Sequence, residues 1–316
     1  MMKKINDIIG DAKTIGIAGH LRPDGDCMGS CMSLYNYLKK NRPDLDVRVF
    51  LEFVDKKFNI IENTDQIITT GYDGTKFDLF ISLDTASLDR LGLNLPFYEN
   101  AKRTACIDHH ASNDGYADYN YILPKASSAS EVLYDLLDEE LIDKSIAEPM
   151  YMGIAHDSGV FRFQSTTPKT MRIAANMIEK GVNVNMILEE TFFRKTYNQM
   201  MVTAKIQSEA VLALDGKCIY GYCTSEMMEE YGVTTKDLDA VVASIRNVDG
   251  VEVAMFLYQL SEDSYKVSLR SKNYVDVSKI AVENGGGGHV RAAGAEIHGE
   301  LNDIINKLLN RIKQDI

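Results

Sequence analysis

The first half of the chain alternates short β-branched runs with helical patterns, and this alternation restricts the fold more than any other feature. "TIGIAGH" (14–20) reads as a strand running into a loop, and "SCMSLYNYLKK" (30–40) as an amphipathic helix. "DVRVFLE" (46–52), "FDLFISLD" (77–84) and "RTACID" (103–108) read as further strands. "SSASEVLYDLLDEELI" (127–142) is a capped helix with Ser127, Ser128 and Ser130 as N-cap candidates. Helical patterns continue over 146–156 and 168–180, with Gly181 as a C-cap. Strands alternating with helices imply βαβ units and a mostly parallel sheet.

Downstream the pattern changes. Residues 184–214 read as one long helix or a pair, and from Lys217 the character turns to β in "KCIYGYCT", "VEVAMFLYQLSEDSYKVSLRSK" and "GAEIHG". A helical tail, "LNDIINKLLNRIKQDI", closes the chain, and "MMKKINDIIGDAK" opens it as a short amphipathic helix. The expected architecture is α/β: an N-terminal mostly parallel sheet flanked by helices (1–185), a helical connector (186–214), and a smaller C-terminal α/β domain with a mixed sheet (215–316). No internal repeat is evident.

In such a sheet the carboxyl ends of the strands share one edge. Four separated segments bring acids or histidines to that edge. They are His20, Asp24 and Asp26 in "HLRPDGD", Asp84 in "LDTAS", Asp108, His109 and His110 in "IDHH", and His156 and Asp157 in "AHDSG". One strand-end aspartate is ordinarily a turn or cap residue. Converging four such segments without a counter-ion is costly. Two imidazoles and four carboxylates without thiolates suit Mn²⁺ or Mg²⁺ rather than a structural zinc, and the histidines favour Mn²⁺. Two such cations sharing a carboxylate activate water and clamp phosphoryl oxygens. Metal-assisted phosphoester hydrolysis is therefore expected.

A second feature is "ENGGGGHVRAAGAEI" (283–297), with Gly285 to Gly288 followed by His289 and Arg291. It is bracketed by structured patterns, which fits a ligand-binding loop better than a linker. Glycines let backbone N–H groups approach an anion, and the residues after them could open a helix or turn. Arg270 in "VSLRSK" is either a phosphate contact or a solvated strand-edge arginine.

The 34 basic and 46 acidic residues give a net charge of −12, which argues against a broad basic face for long nucleic acid. No apolar run is long enough to span a membrane, the N-terminus lacks a signal peptide's apolar core, and a cytoplasmic protein is expected. The five cysteines form no CxxC pair. Cys27 and Cys31 share a helix face, where small buried residues in a reducing compartment are the preferred reading over redox chemistry.

"HLRPDGD", "LDTAS", "IDHH" and "HDSG" together resemble the four motifs of the DHH phosphoesterase superfamily, and "GGGGHVRAAGA" resembles the signature of its C-terminal DHH-associated domain. The resemblance spans nearly the whole chain. It is closest to the stand-alone bacterial oligoribonucleases that also dephosphorylate pAp. It implies His20, Asp24 and Asp84 on one cation, and Asp26, Asp84, His109 and Asp157 on the other, with Asp84 bridging. Asp108 would support the neighbouring His109, and His110 would face the scissile phosphate, stabilising its charge or assisting the leaving group. Arg270, Gly287, Gly288 and His289, with Arg291 beside them, would contact the terminal nucleotide of a short substrate from the second domain. The family commonly carries a threonine-like residue where His156 stands, so His156 is not counted as a ligand.

The implied activity is a two-metal, manganese-dependent phosphoesterase that cleaves very short RNA to mononucleotides and removes phosphate from pAp. A phosphodiesterase for pApA or cyclic-di-AMP is the nearest alternative. A DHH-type inorganic pyrophosphatase, a RecJ-type exonuclease and a non-catalytic nucleotide sensor fit less well. The connector's Met and Phe residues offer either a homodimer surface or an interdomain contact, and the sequence leaves both open.

Overall fold

This computed structural model describes residues 4–238 and 241–316. Met1 to Lys3 of the expected opening helix lie outside the described residues, and α1 covers Ile5–Ile9. The chain forms two compact units, Met1–Arg194 and Lys195–Ile316.

The first unit is built on a five-stranded sheet in the order β2-β1-β3-β4-β5, every neighbouring pair parallel. The strands are β1 (Thr14–Ala18), β2 (Asp46–Phe50), β3 (Leu79–Leu83), β4 (Thr104–Asp108) and β5 (Tyr119–Ile122). The chain moves outward from β1 to β2 and then returns to the other side of β1 with β3. That reversal opens a crevice at the carboxyl ends of β1 and β3, where ligands of open α/β sheets bind. His20 follows β1 and Asp84 follows β3.

One face of the sheet carries α2 (Gly25–Asn41), α4 (Ala129–Leu136) and α5 (Lys144–Asp157) over a large aliphatic core that includes Ile15, Ile17, Ile81, Leu133 and Ile154. The other face packs a smaller aromatic cluster of Phe50, Phe77, Phe80 and Phe97, the last on α3 (Leu95–Glu99). Helix α2 begins earlier than its apolar periodicity suggests, because Asp24 caps it by accepting from the N–H groups of Asp26 and Cys27. Helices α2 and α5 approach through glycines. A Cβ on Gly29 would lie 2.5 Å from the Pro149 carbonyl oxygen, and one on Gly153 would lie 2.1 Å from Ser130 Oγ.

Helix α6 (Pro168–Glu179) opens with a capping box made by Thr167 and Thr170. The segment expected as one long helix or a pair breaks into α7 (Val184–Leu188), a π-helical turn (Glu189–Phe193) and α8 (Tyr197–Glu209). The boundary between the units falls inside it, after Arg194.

The second unit holds a six-stranded mixed sheet in the order β10-β11-β9-β8-β7-β6. Its strands are β6 (Val211–Ala213), β7 (Cys218–Cys223), β8 (Val253–Ser261), β9 (Ser264–Ser271), β10 (Gly287–His289) and β11 (Ala292–His298), and only β7 and β8 run parallel. Helices α11 (Val277–Glu283) and α12 (Leu301–Ile312) cover one face, while α8, α9 (Ser225–Tyr231) and α10 (Val241–Arg246) cover the other.

Candidate metal centre

The start of α2 supplies two carboxylates with different tasks, Asp24 at the N-cap and Asp26 in the first turn. Asp24 faces solvent, with one oxygen committed to the helix cap. Asp26 is fully buried, and its two oxygens accept from the backbone N–H groups of Ala129 and Ser130 at 2.6 and 3.0 Å. The first turn of α4 therefore holds Asp26 in place, and its positive end favours the anion. Gly153 makes room for this, since a Cβ there would also sit 2.7 Å from Asp26 Oδ1.

Asp84 occupies the centre. It is 3% exposed, and its backbone turns into the left-handed region immediately after β3, at φ +50°. A non-glycine residue held there costs about 1–3 kcal/mol, a strain that concentrates at functional sites. Three imidazoles surround its carboxylate: His20 Nε2 at 3.4 Å, His109 Nε2 at 3.5 Å and His110 Nδ1 at 3.6 Å. These separations are long for hydrogen bonds, and Asp84 Oδ1 has no hydrogen-bond partner.

The opening motif residues complete the ring. His20 Nδ1 lies 2.7 Å from the Leu21 carbonyl oxygen, so it donates there and turns Nε2 toward Asp84 and Asp24. His109 Nε2 lies 3.1 Å from Asp157 Oδ2. Asp108, fully buried, differs from the expectation that it supports His109. Its Oδ1 accepts from His110 Nδ1 at 2.8 Å, and from His109 it accepts only the backbone N–H. Asn113 donates to Asp108 Oδ2 at 2.7 Å and to the Thr85 carbonyl. The reason is directional: successive residues leaving a strand point to opposite sides, so Asp108 shares a side with His110.

His156 turns away from this ring. Its Nε2 lies 2.9 Å from Thr191 Oγ1, and its ring packs against Gly25, Phe58 and Phe192. Thr191 Oγ1 already donates to the Ile187 carbonyl, so it accepts from His156. After Asp157 the chain makes a tight left-handed turn, with positive φ at Gly159, Val160 and Phe161. Val160 N–H donating to the Ala155 carbonyl at 2.7 Å helps to hold it.

Charge is crowded in this cluster. Burial opposes ionisation of Asp26, and repulsion from Asp84 and Asp157 adds to it, so its carboxyl is raised well above the usual range. Burial also disfavours a charged His109, yet Asp157 and Asp84 outweigh it and push the imidazole up to about 12. Burial alone would raise Asp84, but His109 and His20 hold it below the ordinary carboxylate range. The carboxylates thus repel one another across the ring, and a divalent cation held among them relieves that repulsion. Groups of donor atoms within 4.8 Å of one another occur at His20, Cys27 and Asp84, at Asp84, His109 and His110, and at Asp26, His109 and Asp157. The orphaned Asp84 oxygen and the carboxylate and imidazole donors of these groups fit divalent cations.

In the second unit the residues after the glycine run open a turn, one of the two alternatives anticipated, while the last two glycines themselves lie in a strand. Gly287, Gly288 and His289 form the edge strand β10, joined to β11 by a turn at Val290 and Arg291. Gly288 is needed for the pairing, because its φ is +140° and a Cβ would lie 2.5 Å from the Ala292 carbonyl oxygen. Arg270 on β9 is in register with Ala292. Arg291 donates to the Val275 carbonyl at 2.7 Å and so ties the hairpin turn to the loop before α11.

Nothing in the sequence singled out Asn113 or Arg90, whose Nη2 lies 3.5 Å from the Leu21 carbonyl oxygen. Asn113 sits in "NDG", which carries only a turn signal. Cys27, expected as a small buried residue, directly follows Asp26 on the first turn of α2.

The DHH family N-terminal domain matches residues 14–154, and the DHHA1 domain matches residues 215–315. A bifunctional oligoribonuclease and PAP phosphatase from Thermus thermophilus is 31% identical over 313 residues, spanning 96% of this chain and 90% of that protein. The chain belongs to the DHH family. A Bacillus subtilis protein of the same description is 27% identical over 290 residues, spanning 90% of each chain. The crystal structure of an exopolyphosphatase-related protein from Bacteroides fragilis shares the fold, with a TM-score of 0.89 over 98% of this chain and 95% of that one at 23% identity. This DHH-family phosphoesterase carries His/Asp clusters of the kind that divalent cations require. Among the described residues no helix is long and apolar enough to cross a membrane.

Proposed function

We propose that this protein hydrolyses very short RNA oligonucleotides to mononucleotides and removes phosphate from pAp, using two divalent cations, Mn²⁺ ahead of Mg²⁺. The observation that carries the reading is the buried Asp84 carboxylate, ringed by His20, His109 and His110 and left with an unpartnered oxygen. The substrate class comes from the Thermus and Bacillus relatives, which are bifunctional oligoribonucleases and PAP phosphatases.

His20, Asp24 and Asp84 would hold one cation, and Asp26, Asp84, His109 and Asp157 the other. Bound there, the pair supplies Lewis acidity and an activated water for attack at phosphorus. The chain's own residues set the geometry. The first turn of α4 fixes Asp26, the left-handed backbone of Asp84 aims its carboxylate into the ring, and Asp108 fixes the rotation of His110. His110 then stabilises charge on the phosphoryl group or protonates the leaving oxygen.

The second unit supplies recognition through Arg270 and the β10 edge, where Gly287, Gly288 and His289 present backbone to a phosphate or base. Arg291 contributes by holding that hairpin in place. Few phosphate contacts suffice for substrates of a few nucleotides, in keeping with a net charge of −12. All five cysteines are free and buried, which supports a cytoplasmic setting.

A manganese-supported hydrolysis panel tests the proposal: pAp, pApA, a short RNA, cyclic-di-AMP and pyrophosphate. Turnover of short RNA and pAp is expected, and Asp84→Ala should remove nearly all of it. Preference for pApA or cyclic-di-AMP would move the assignment to a dinucleotide phosphodiesterase. Turnover of pyrophosphate alone would overturn the nuclease reading.

A further inference from the structure

One donor atom beside the metal centre is neither a carboxylate oxygen nor an imidazole nitrogen. Cys27 is fully buried on the first turn of α2, and its Sγ belongs to a group with His20 and Asp84 whose ligand atoms all lie within 4.8 Å of one another. Its contact with the His20 carbonyl oxygen is long, at 3.9 Å, so that contact holds the thiol only weakly. Asp84, in the same group, is 3% exposed and presents Oδ2 to His20 Nε2 at 3.4 Å. His20 turns Nε2 toward Asp84 because Nδ1 donates to Leu21. Nitrogen, oxygen and sulfur donors therefore converge on one corner of the site.

We propose that Cys27 makes the His20–Asp84 corner a mixed N/O/S site that takes thiophilic divalent cations, Zn²⁺ or Cd²⁺, in preference to Mn²⁺. Sulfur and imidazole donors select such ions over hard ones, and divalent zinc lies above manganese in intrinsic affinity. Binding breaks the S–H bond, forms one metal–thiolate bond and releases one proton to the buffer, with no change of oxidation state. Gly19 shapes the corner, since a Cβ there would lie 2.2 Å from Cys27 Sγ and 3.2 Å from Cys31 Sγ. The inference extends the proposed metal reading of this site. Its consequence is that zinc displaces manganese from the His20 corner and inhibits turnover.

Cadmium titration of the metal-free full-length protein, followed by ultraviolet absorbance, tests it. The wild type and Cys31→Ser should both develop thiolate-to-cadmium charge-transfer absorbance that saturates with the first equivalents of cation. Cys27→Ser should lack it and bind Cd²⁺ at least about 10–100-fold more weakly, the loss that even an outer support of a ligand produces. Circular dichroism of Cys27→Ser checks its folding, and Cys27→Ala takes its place if it fails, because three other free cysteines remain in wild type and Cys31→Ser alike. No absorbance in the wild type, or loss in Cys31→Ser, would overturn the proposal. Manganese-supported hydrolysis by a wild type without the absorbance would sink this inference alone. The absorbance without any phosphoester hydrolysis would instead sink the functional reading.

Discussion

Asp108 Oδ1 accepts a hydrogen bond from His110 Nδ1 at 2.8 Å, while Asn113 occupies the other oxygen of the same carboxylate at 2.7 Å. Both oxygens are thus committed to orientation, and Asp108 acts on its second neighbour in sequence. The pairing fixes the tautomer of His110 with the proton on Nδ1.

Asp108→Asn should therefore lower kcat by about 10–100-fold while Mn²⁺ affinity changes little. The amide cannot both accept from His110 and pair with Asn113 as the carboxylate does. Steady-state kinetics with isothermal titration of Mn²⁺ checks this. A large fall in metal affinity at unchanged kcat would return Asp108 to the support of His109.

Much of this arrangement was legible beforehand, for definite reasons. Buried parallel strands are short β-branched runs, so β1 to β4 stand out, and their carboxyl ends mark His20, Asp84 and His109. Strand β5 did not, because "YNYI" is a half-exposed edge that lacks a buried strand's apolar run. Strands β6 and β10 are three residues each, and β10 is mostly glycine, which carries no strand signal. The start of α2 was hidden by Gly25 and Asp26 and is explained only by the Asp24 cap. The Asp108–His110 pairing depends on side-chain direction, which motif spacing does not encode.

Gly153 separates α5 from the Asp26 pocket. Gly153→Ala would place its Cβ 2.1 Å from Ser130 Oγ and 2.7 Å from Asp26 Oδ1, and Asp26 can withdraw only by breaking its bonds to the Ala129 and Ser130 N–H groups. The variant should lose about 1–3 kcal/mol of stability from overpacking. Its Mn²⁺ affinity should fall by about 10–100-fold. Chemical denaturation and metal titration measure the two effects, and unchanged affinity would show that Asp26 is not a ligand.

In the second unit, Glu252 is 2% exposed and accepts from the backbone N–H groups of Asn273, Tyr274 and Val275 at 2.8–3.1 Å. Burial alone would raise its carboxyl, but these donors outweigh it and hold it below the ordinary 4.5. A depressed folded-state value means that the ionised form stabilises the fold. That contribution is complete above the ordinary value and is lost as pH falls through the folded one. Glu252→Gln should cost about 1–3 kcal/mol at neutral pH, and the difference from wild type should shrink under acid. Melting temperatures taken across that range would refute the assignment if the gap stayed constant.

Pro149 lies inside α5, where it cannot donate to the carbonyl of Ser145 four residues earlier. Asn36, 2% exposed on α2, takes over that role: its Nδ2 lies 2.8 Å from the Ser145 oxygen, and its Oδ1 accepts from Asn63 at 2.9 Å. Asn36→Ala should leave the Ser145 carbonyl buried without its donor and destabilise the protein by about 1–3 kcal/mol. Pro149→Ala restores a backbone N–H that can reach the same carbonyl. The cost of Asn36→Ala should then be smaller in the Pro149→Ala background, with a coupling of about 1 kcal/mol. Urea denaturation of the four proteins of this double-mutant cycle measures it directly. Strict additivity would mean that Asn36 contributes through Asn63 and packing alone, and that the proline's missing bond is made good elsewhere.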